Sequence, residues 1–455
     1  MLESSVGARP RLFSPLLVKA VTIGVLLIVM LVALAQVRSL VYERTGARDQ
    51  AVQRVRETLG GAQTVGGVVL SVPFVSTYKV GERTEQTRSV AYVLPDTLET
   101  QVTWEPDLRS VGLYRVPAFV ATVEVNGVIA ARDLRDLRSA KADRVVSFEE
   151  TMLTVLNSES RTLRAFEEFT IGAAAAAGEP RGYAGFAGVA GRVSVSLITG
   201  NGDIPFRARY QLVGSESLSV LPLARSAKIR MSSPWPHPKF VGGQAPVKQE
   251  VGPDGFLAEW NTLDLARSFG QSWIGDEVRP GSAARDAFYN AALGVEQYEP
   301  VNVYQRNHRA VHYAMLVIGI TFLTFFLVEH VGRMPIHGMQ YLFVGLALAV
   351  FYVLLLALSE HVPFWVAYVA AAGALVVLIT AYLAGVLKSV GRALVAGAAL
   401  AALYALLYLI LVSEDYSLLM GALLLFAALA TLMLLTRRFD WSSVGSSRSA
   451  GSTTA

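Results

Sequence analysis

"MQYLFVGLALAVFYVLLLALSEH", residues 339–361, decides how this chain folds. From Tyr341 to Leu358 every residue is apolar or glycine. A helix needs roughly 17–25 mostly apolar residues to cross a bilayer, so this stretch is long enough to span one. Five further apolar runs accompany it, at 16–37, 313–328, 362–386, 393–412 and 418–435. The first stands alone near the N-terminus, and the other five crowd the last third. Between 38 and 311 the chain is polar enough to fold in water.

Composition agrees. The 455 residues are 53% hydrophobic and 17% charged, with a mean hydropathy of +0.43. An average soluble domain carries about 25% charged residues. The chain has no cysteine, which excludes disulfides, thiolate chemistry and cysteine-ligated zinc. The net charge of +4 gives no reason to expect nucleic acid as a partner.

The short loops set an orientation. Arg333 follows the second run, Lys388 and Arg392 the fourth, and Arg437 and Arg438 the sixth. The alternate loops carry Glu360 with His361, and Glu414 with Asp415. Basic loops stay cytoplasmic, so both termini are expected inside and the 38–311 domain outside. The arginines just after the first run (Arg38, Arg44, Arg48, Arg54 and Arg56) argue the other way. They are weak against four alternating loops, because a long translocated domain is little bound by the charge rule. "ALA" at 33–35 fits a signal-peptidase site, but the apolar run before it exceeds a signal core of 7–15 residues. The first span is therefore expected to stay as an anchor.

The outer domain begins with a helical stalk over 38–59, where Leu40, Val41, Arg44, Ala47, Ala51, Val55 and Leu59 recur at helical spacing. Period two then takes over. Leu98/Thr100/Val102/Trp104, Phe119/Ala121/Val123/Val125, Val193/Val195/Leu197, Phe206/Ala208/Tyr210/Leu212 and Phe256/Ala258/Trp260 each mark one face of a strand. Many short alternating strands predict antiparallel sheets in a sandwich or related β-rich fold. Residues 69–95 read as two strands around a polar turn, with Pro73 on an edge strand. Short helices are expected near 160–169 and 284–293. The Ala/Gly-rich stretch 172–191 reads as a flexible loop.

Catalytic signals are sparse. His308 and His312 share a helical face but lack a third ligand, and no HExxH, GxSxG or Walker loop occurs. "GFAGVAG" (185–191) lies in the Ala/Gly stretch without the strand and helix that a dinucleotide loop requires. The adjacent carboxylates Glu149–Glu150 and Glu167–Glu168 read as solvated faces. Within the apolar runs, Lys19, Glu329, Glu360, Lys388 and Arg392 sit at the ends, so no ion path is visible. Gly345/Ala349 and Ala381/Gly385 are spaced for close helix approach. Thr321, Thr324 and Thr380 are compatible with bonds between helices. No catalytic, cofactor or metal residue is assigned.

One segment stands out. In "SSPWPHPKFVGG" (232–243), Pro234, Pro236 and Pro238 alternate with Trp235 and His237. Proline fixes φ and pushes its predecessor to extended geometry, so 233–238 is a stiff rod. It is either a recognition edge offering Trp235 and His237, or a structural corner with Trp235 set into the core.

The stretches "MSSPWPHPKFVGG", "YQRNHRAVHYAMLVIGITFLTFFLVEH" and "PIHGMQYLFVGLALAVFYVLLLALSEH", with "LTRRFDW" near the end, resemble the CreD family of bacterial inner-membrane proteins. That resemblance implies six spans, a large periplasmic domain between the first two, and a role in cell-envelope integrity. It transfers no catalytic or ligand residue.

The expected organisation follows. Residues 1–37 form the cytoplasmic N-terminus and first span, and 38–311 a mainly-β periplasmic domain with a helical stalk. Residues 312–436 form a five-helix membrane block and 437–455 a cytoplasmic tail. The expected partners are the lipid bilayer and a periplasmic or envelope protein, for a non-enzymatic binding, sensing or scaffolding role. A transporter or flippase-like protein using the helical block is the alternative. The sequence does not set the oligomeric state.

Overall fold

The computed structural model describes residues 15–80, 83–139, 144–146, 150–275, 283–298, 303–332, 337–413 and 417–437. Arg333, Glu149, Glu414, Asp415, Arg438 and the tail after Trp441 lie outside them. The chain divides into two compact units, one of Arg48–Pro300 and one of Met1–Ala47 with Val301–Ala455.

Among the described residues, five helices are long and apolar enough to cross a membrane: Val21–Leu59, Val303–Phe326, Gly338–Ser359, Phe364–Val386 and Val390–Val412. The last apolar run forms the helix Ser417–Thr436, in which Leu419–Thr431 is the described apolar stretch. Gly345 lets three of these helices meet. A Cβ there would lie 2.8 Å from both Met30 Sδ and Phe322 Cζ. Gly385 does not act this way, since a Cβ there has nothing within 4 Å. The close approach falls instead at Gly397, whose Cβ would strike Thr380. Small-residue spacing recurs on both faces of a helix, and only packing selects the face in use. Thr321, Thr324 and Thr380 do not bridge helices. Each donates to the carbonyl four residues back, at 2.8, 2.8 and 2.6 Å.

The unit Arg48–Pro300 is a two-layer β-sandwich. Among the described residues, one sheet has ten strands and the other eight. The eight-stranded sheet runs Lys248–Gly252, Gly255–Leu263, Ser226–Ser233, Thr97–Val111, Tyr114–Ile129, Ile204–Ser215, Leu163–Ile171, Ala174–Ala175. The alternating faces pack inward, and Leu98, Thr100, Val102, Trp104, Phe206, Ala208, Tyr210, Phe256 and Trp260 are buried. Burying a large apolar side chain contributes about 1.5–3 kcal/mol, so this interior outweighs any single polar feature of the domain.

The sheets are not wholly antiparallel. Gln63–Val80 runs parallel to Ser217–Val220, and Thr97–Val111 runs parallel to Ser226–Ser233. Parallel neighbours need long connections, and more than a hundred residues separate each pair here.

Four local expectations change. Pro73 is not on an edge strand, because Gln63–Val80 pairs with Arg83–Val93 on one side and with two short strands on the other. Met152–Asn157 ends its pairing opposite Ser71, and Arg144–Val146 begins opposite Phe74. Pro73 falls in that gap, where a missing N–H costs no ladder bond.

Residues 163–171 form a strand, preceded by a single 3-10 turn over Ser160–Thr162. Its register against Ile204–Ser215 shifts twice, skipping Glu167 and Arg164. Each bulge adds a residue and turns a spacing of two into three. Leu163, Phe166 and Phe169 thus share the core side while imitating a helical repeat.

Residues 172–191 are a loop only in part, interrupted by the strands Ala174–Ala175, Glu179–Pro180 and Ala187–Arg192. Ala187–Arg192 pairs along Met152–Asn157. Its glycines serve close packing: a Cβ on Gly191 would lie 2.6 Å from Phe169 Cε1, and one on Gly188 2.7 Å from Arg181 O.

Val195 and Leu197 lie in a short helix, Val195–Thr199. The partner strand ends at Met152, and after Val193 N–H bonds Thr151 O at 2.9 Å no ladder remains to extend. The expected helix near 284–293 spans Ala283–Asn290 and then gives way to the strand Leu293–Gln297.

Candidate functional site

The proline segment joins the two sheets. Ser226–Ser233 lies inside the eight-stranded sheet, and Pro238–Gly242 is the end strand of the ten-stranded one. Four residues, Pro234 to His237, carry the chain across. Proline suits this step because the crossing backbone has no ladder to donate to.

Hydrogen bonds within the corner fix its shape. Trp235 N–H donates to Ser233 Oγ at 3.1 Å. The indole Nε1–H donates to His237 O at 3.1 Å and to Tyr298 O at 3.2 Å. The ring is half-buried and packs on the sandwich core, while Pro234 and His237 are exposed and Pro236 and Pro238 half-buried. Aromatic rings line the core beside it: Phe240 meets Phe256 and Trp260 edge-on at 6.2 and 6.0 Å, and Trp104 stacks on Phe119 at 5.0 Å. The opposing hairpin needs Gly255. Its φ is +126°, and a Cβ there would strike Ser233 O and lie 2.6 Å from Pro234 Cα. The space between corner and hairpin is an open groove of about 570 Å³, bordered by Ser232, Pro234, Glu250 and Asp254.

A charged cluster braces another edge of the domain. Arg225 reaches Asp96 at 2.8 Å, Asp133 at 3.3 Å and Asp264 at 3.4 Å. Burial opposes its charge, but the bond to Asp96 and the three carboxylates outweigh it and raise the guanidinium pKa. Burial pushes Arg267, beside it, down to about 10. Alternation patterns gave no sign of this cluster, because Asp133 comes from the helix Ala131–Ser139, Asp264 from a 3-10 turn, and Asp96 and Arg225 from two separate loops.

In the helical unit, three of the ionisable residues expected at helix ends, Lys19, Glu329 and Glu360, meet partners on other helices. Lys19 pairs with Glu329, which also accepts from Tyr341 Oη at 3.1 Å. Towards the opposite ends of the helices, Glu360 lies 3.8 Å from Arg44 and accepts from Tyr304 Oη at 3.4 Å. Asn307 Nδ2 donates to Ser359 Oγ at 2.9 Å. His308 bonds Tyr42 at 3.0 Å, and His312 is exposed beside Tyr313. No group of three His, Asp or Glu that could hold a metal occurs among the described residues. Glu167 and Glu168 face Arg209 and Arg207 at 2.9 and 3.4 Å, a cross-strand ladder on the sheet surface.

Residues 15–442 match the family described as Inner membrane protein CreD. Inner membrane protein CreD of Escherichia coli (strain K12) is 31% identical over 449 residues, 94% of each chain. With its run of apolar helices, the chain is a multi-pass inner-membrane protein and belongs to the CreD family.

Proposed function

We propose that the protein supports cell-envelope integrity or the response to envelope stress, without catalysis. In this reading six helices span the inner membrane, both termini are cytoplasmic, and the sandwich lies in the periplasm. There it binds, senses or scaffolds an envelope component. The observation that carries this reading is the large sandwich inserted between the first apolar helix and the helical block. A fold of two broad sheets is built to present surface. Among the described residues, its end strand Lys248–Gly252 pairs on one side only, and it is exposed along most of its length. Such an edge can take a further strand from a partner.

The test is genetic and biochemical. A strain lacking the protein should become more permeable to a membrane-excluded dye. Wild-type protein should restore the barrier, and a version lacking 48–300 should not. Full restoration by that truncated version, when it is inserted at normal levels, would remove the sandwich from the function.

A further inference from the structure

The helical unit contains an apolar cavity that no part of the reading above uses. It holds about 370 Å³ between helices Val303–Gly332, Phe364–Val386 and Val390–Val412. That is more than twice the ~150 Å³ apolar cavity that stays dry and accepts benzene. Phe325, Leu383, Ala399 and Leu403 form its walls. Thr321 and Thr324 also border it, but their hydroxyls donate to their own helix at 2.8 Å each. The interior therefore suits hydrocarbon and repels water. Ala399 is exposed, so the cavity opens sideways from the helices.

One end of this space is different. Gly391 and Arg392 line it there, in the first turn of Val390–Val412. A helix N-terminus carries partial positive charge. Arginine adds a full charge in a planar fork that matches phosphate, and exposed Lys388 lies in the preceding turn. Hydrocarbon walls that end in concentrated positive charge complement a molecule with an apolar chain and an anionic head.

We propose that this cavity holds an acyl chain of an anionic phospholipid, with the phosphate at Arg392 and the first turn of helix Val390–Val412. The site requires only that the helices lie in a bilayer. It does not depend on which face is cytoplasmic, nor on the role of the sandwich.

Native mass spectrometry of the full-length protein in detergent tests it, with phosphatidylglycerol and phosphatidylethanolamine of identical chains as the probes. The wild type should retain phosphatidylglycerol with about fivefold preference, the effect of one surface cation on an anionic lipid. Arg392→Gln should lose the preference, and Arg392→Lys should keep part of it. Ala399→Phe should reduce retention of both lipids. Its added ring enters the cavity from an exposed position, so the packed core is spared. Equal retention of the two lipids by the wild type overturns the proposal. So does a preference that survives Arg392→Gln, or retention unchanged in Ala399→Phe. If Ala399→Phe fails to fold, the Arg392 pair alone decides.

Discussion

The indole N–H of Trp235 donates to the carbonyl of Tyr298, 63 residues further along the chain, at 3.2 Å. This bond ties the proline corner to the end of the strand Leu293–Gln297, which pairs with Pro238–Gly242 just past the corner. The corner is thus held at both ends, and Trp235 anchors it while His237 faces solvent.

Trp235→Ala should destabilise the sandwich by about 1.5–2.5 kcal/mol, roughly half the ~3–5 kcal/mol for a fully buried aromatic, because the ring is only half-buried. Trp235→Phe should cost about 1 kcal/mol, the value of the lost bonds. His237→Ala should change nothing measurable. Urea unfolding of the purified protein, followed by the β-sheet circular dichroism signal, reads all three. An unaltered midpoint for Trp235→Ala would show that the corner does not depend on its ring.

Gly255→Ala should cost more than ~1 kcal/mol, since φ is +126° and the new Cβ meets Ser233 O. Gly252→Ala, in the same hairpin, should be mild because a Cβ there meets nothing within 4 Å. The same unfolding assay should separate the two. Equal costs would contradict the close approach of corner and hairpin.

Arg225→Met should cost about 1–2 kcal/mol, because it removes the shared partner of Asp96, Asp133 and Asp264 in a partly solvated site. The pH behaviour follows from the sign of the shift. Burial opposes the charge of Arg225, but the bond to Asp96 and its acidic neighbours prevail and raise its pKa above the ordinary arginine value. A raised basic group contributes fully below its unfolded pKa and loses that contribution only as pH rises through the folded value. Titration of Arg225 itself should therefore add no slope to stability between pH 6 and 9, about three units or more below the ordinary arginine pKa. A steep loss across that range, absent from Arg225→Met, would assign the cluster a different balance.

Lys19→Leu should destabilise the helical unit by removing the ion pair with Glu329. Lys19→Leu combined with Glu329→Gln should cost less than the sum of the single changes. A coupling of about 0.5–3 kcal/mol is expected for residues in contact. Thermal aggregation in detergent, compared across the four proteins, measures it. Additive effects would mean that the pair contributes nothing.

Sequence pattern carried the fold where periodicity was unbroken. Leu98 to Trp104 and Phe206 to Leu212 alternate cleanly, and their strands lie in the eight-stranded sheet with those faces inward. It failed where geometry interrupts the period. The bulges at Arg164 and Glu167 disguised a strand as a helix. Pro73 pointed to an edge because the gap between its two partner strands is a long-range fact. The parallel pairs and the Arg225 cluster are likewise assembled from distant segments, and local pattern holds no trace of them. The proline stretch was legible as rigid. Its place between two sheets was not, since nothing local shows which sheet receives Pro238–Gly242.

The natural absence of cysteine allows the periplasmic placement of the sandwich to be tested directly. His237→Cys places one thiol at the exposed corner, and Arg437→Cys places one just past the last helix. Each variant is treated with a membrane-impermeant maleimide in spheroplasts with an intact inner membrane. His237→Cys should be labelled at once, and Arg437→Cys only after lysis. Labelling of Arg437→Cys in intact spheroplasts, with His237→Cys protected until lysis, would contradict the periplasmic placement of the sandwich and the role built on it.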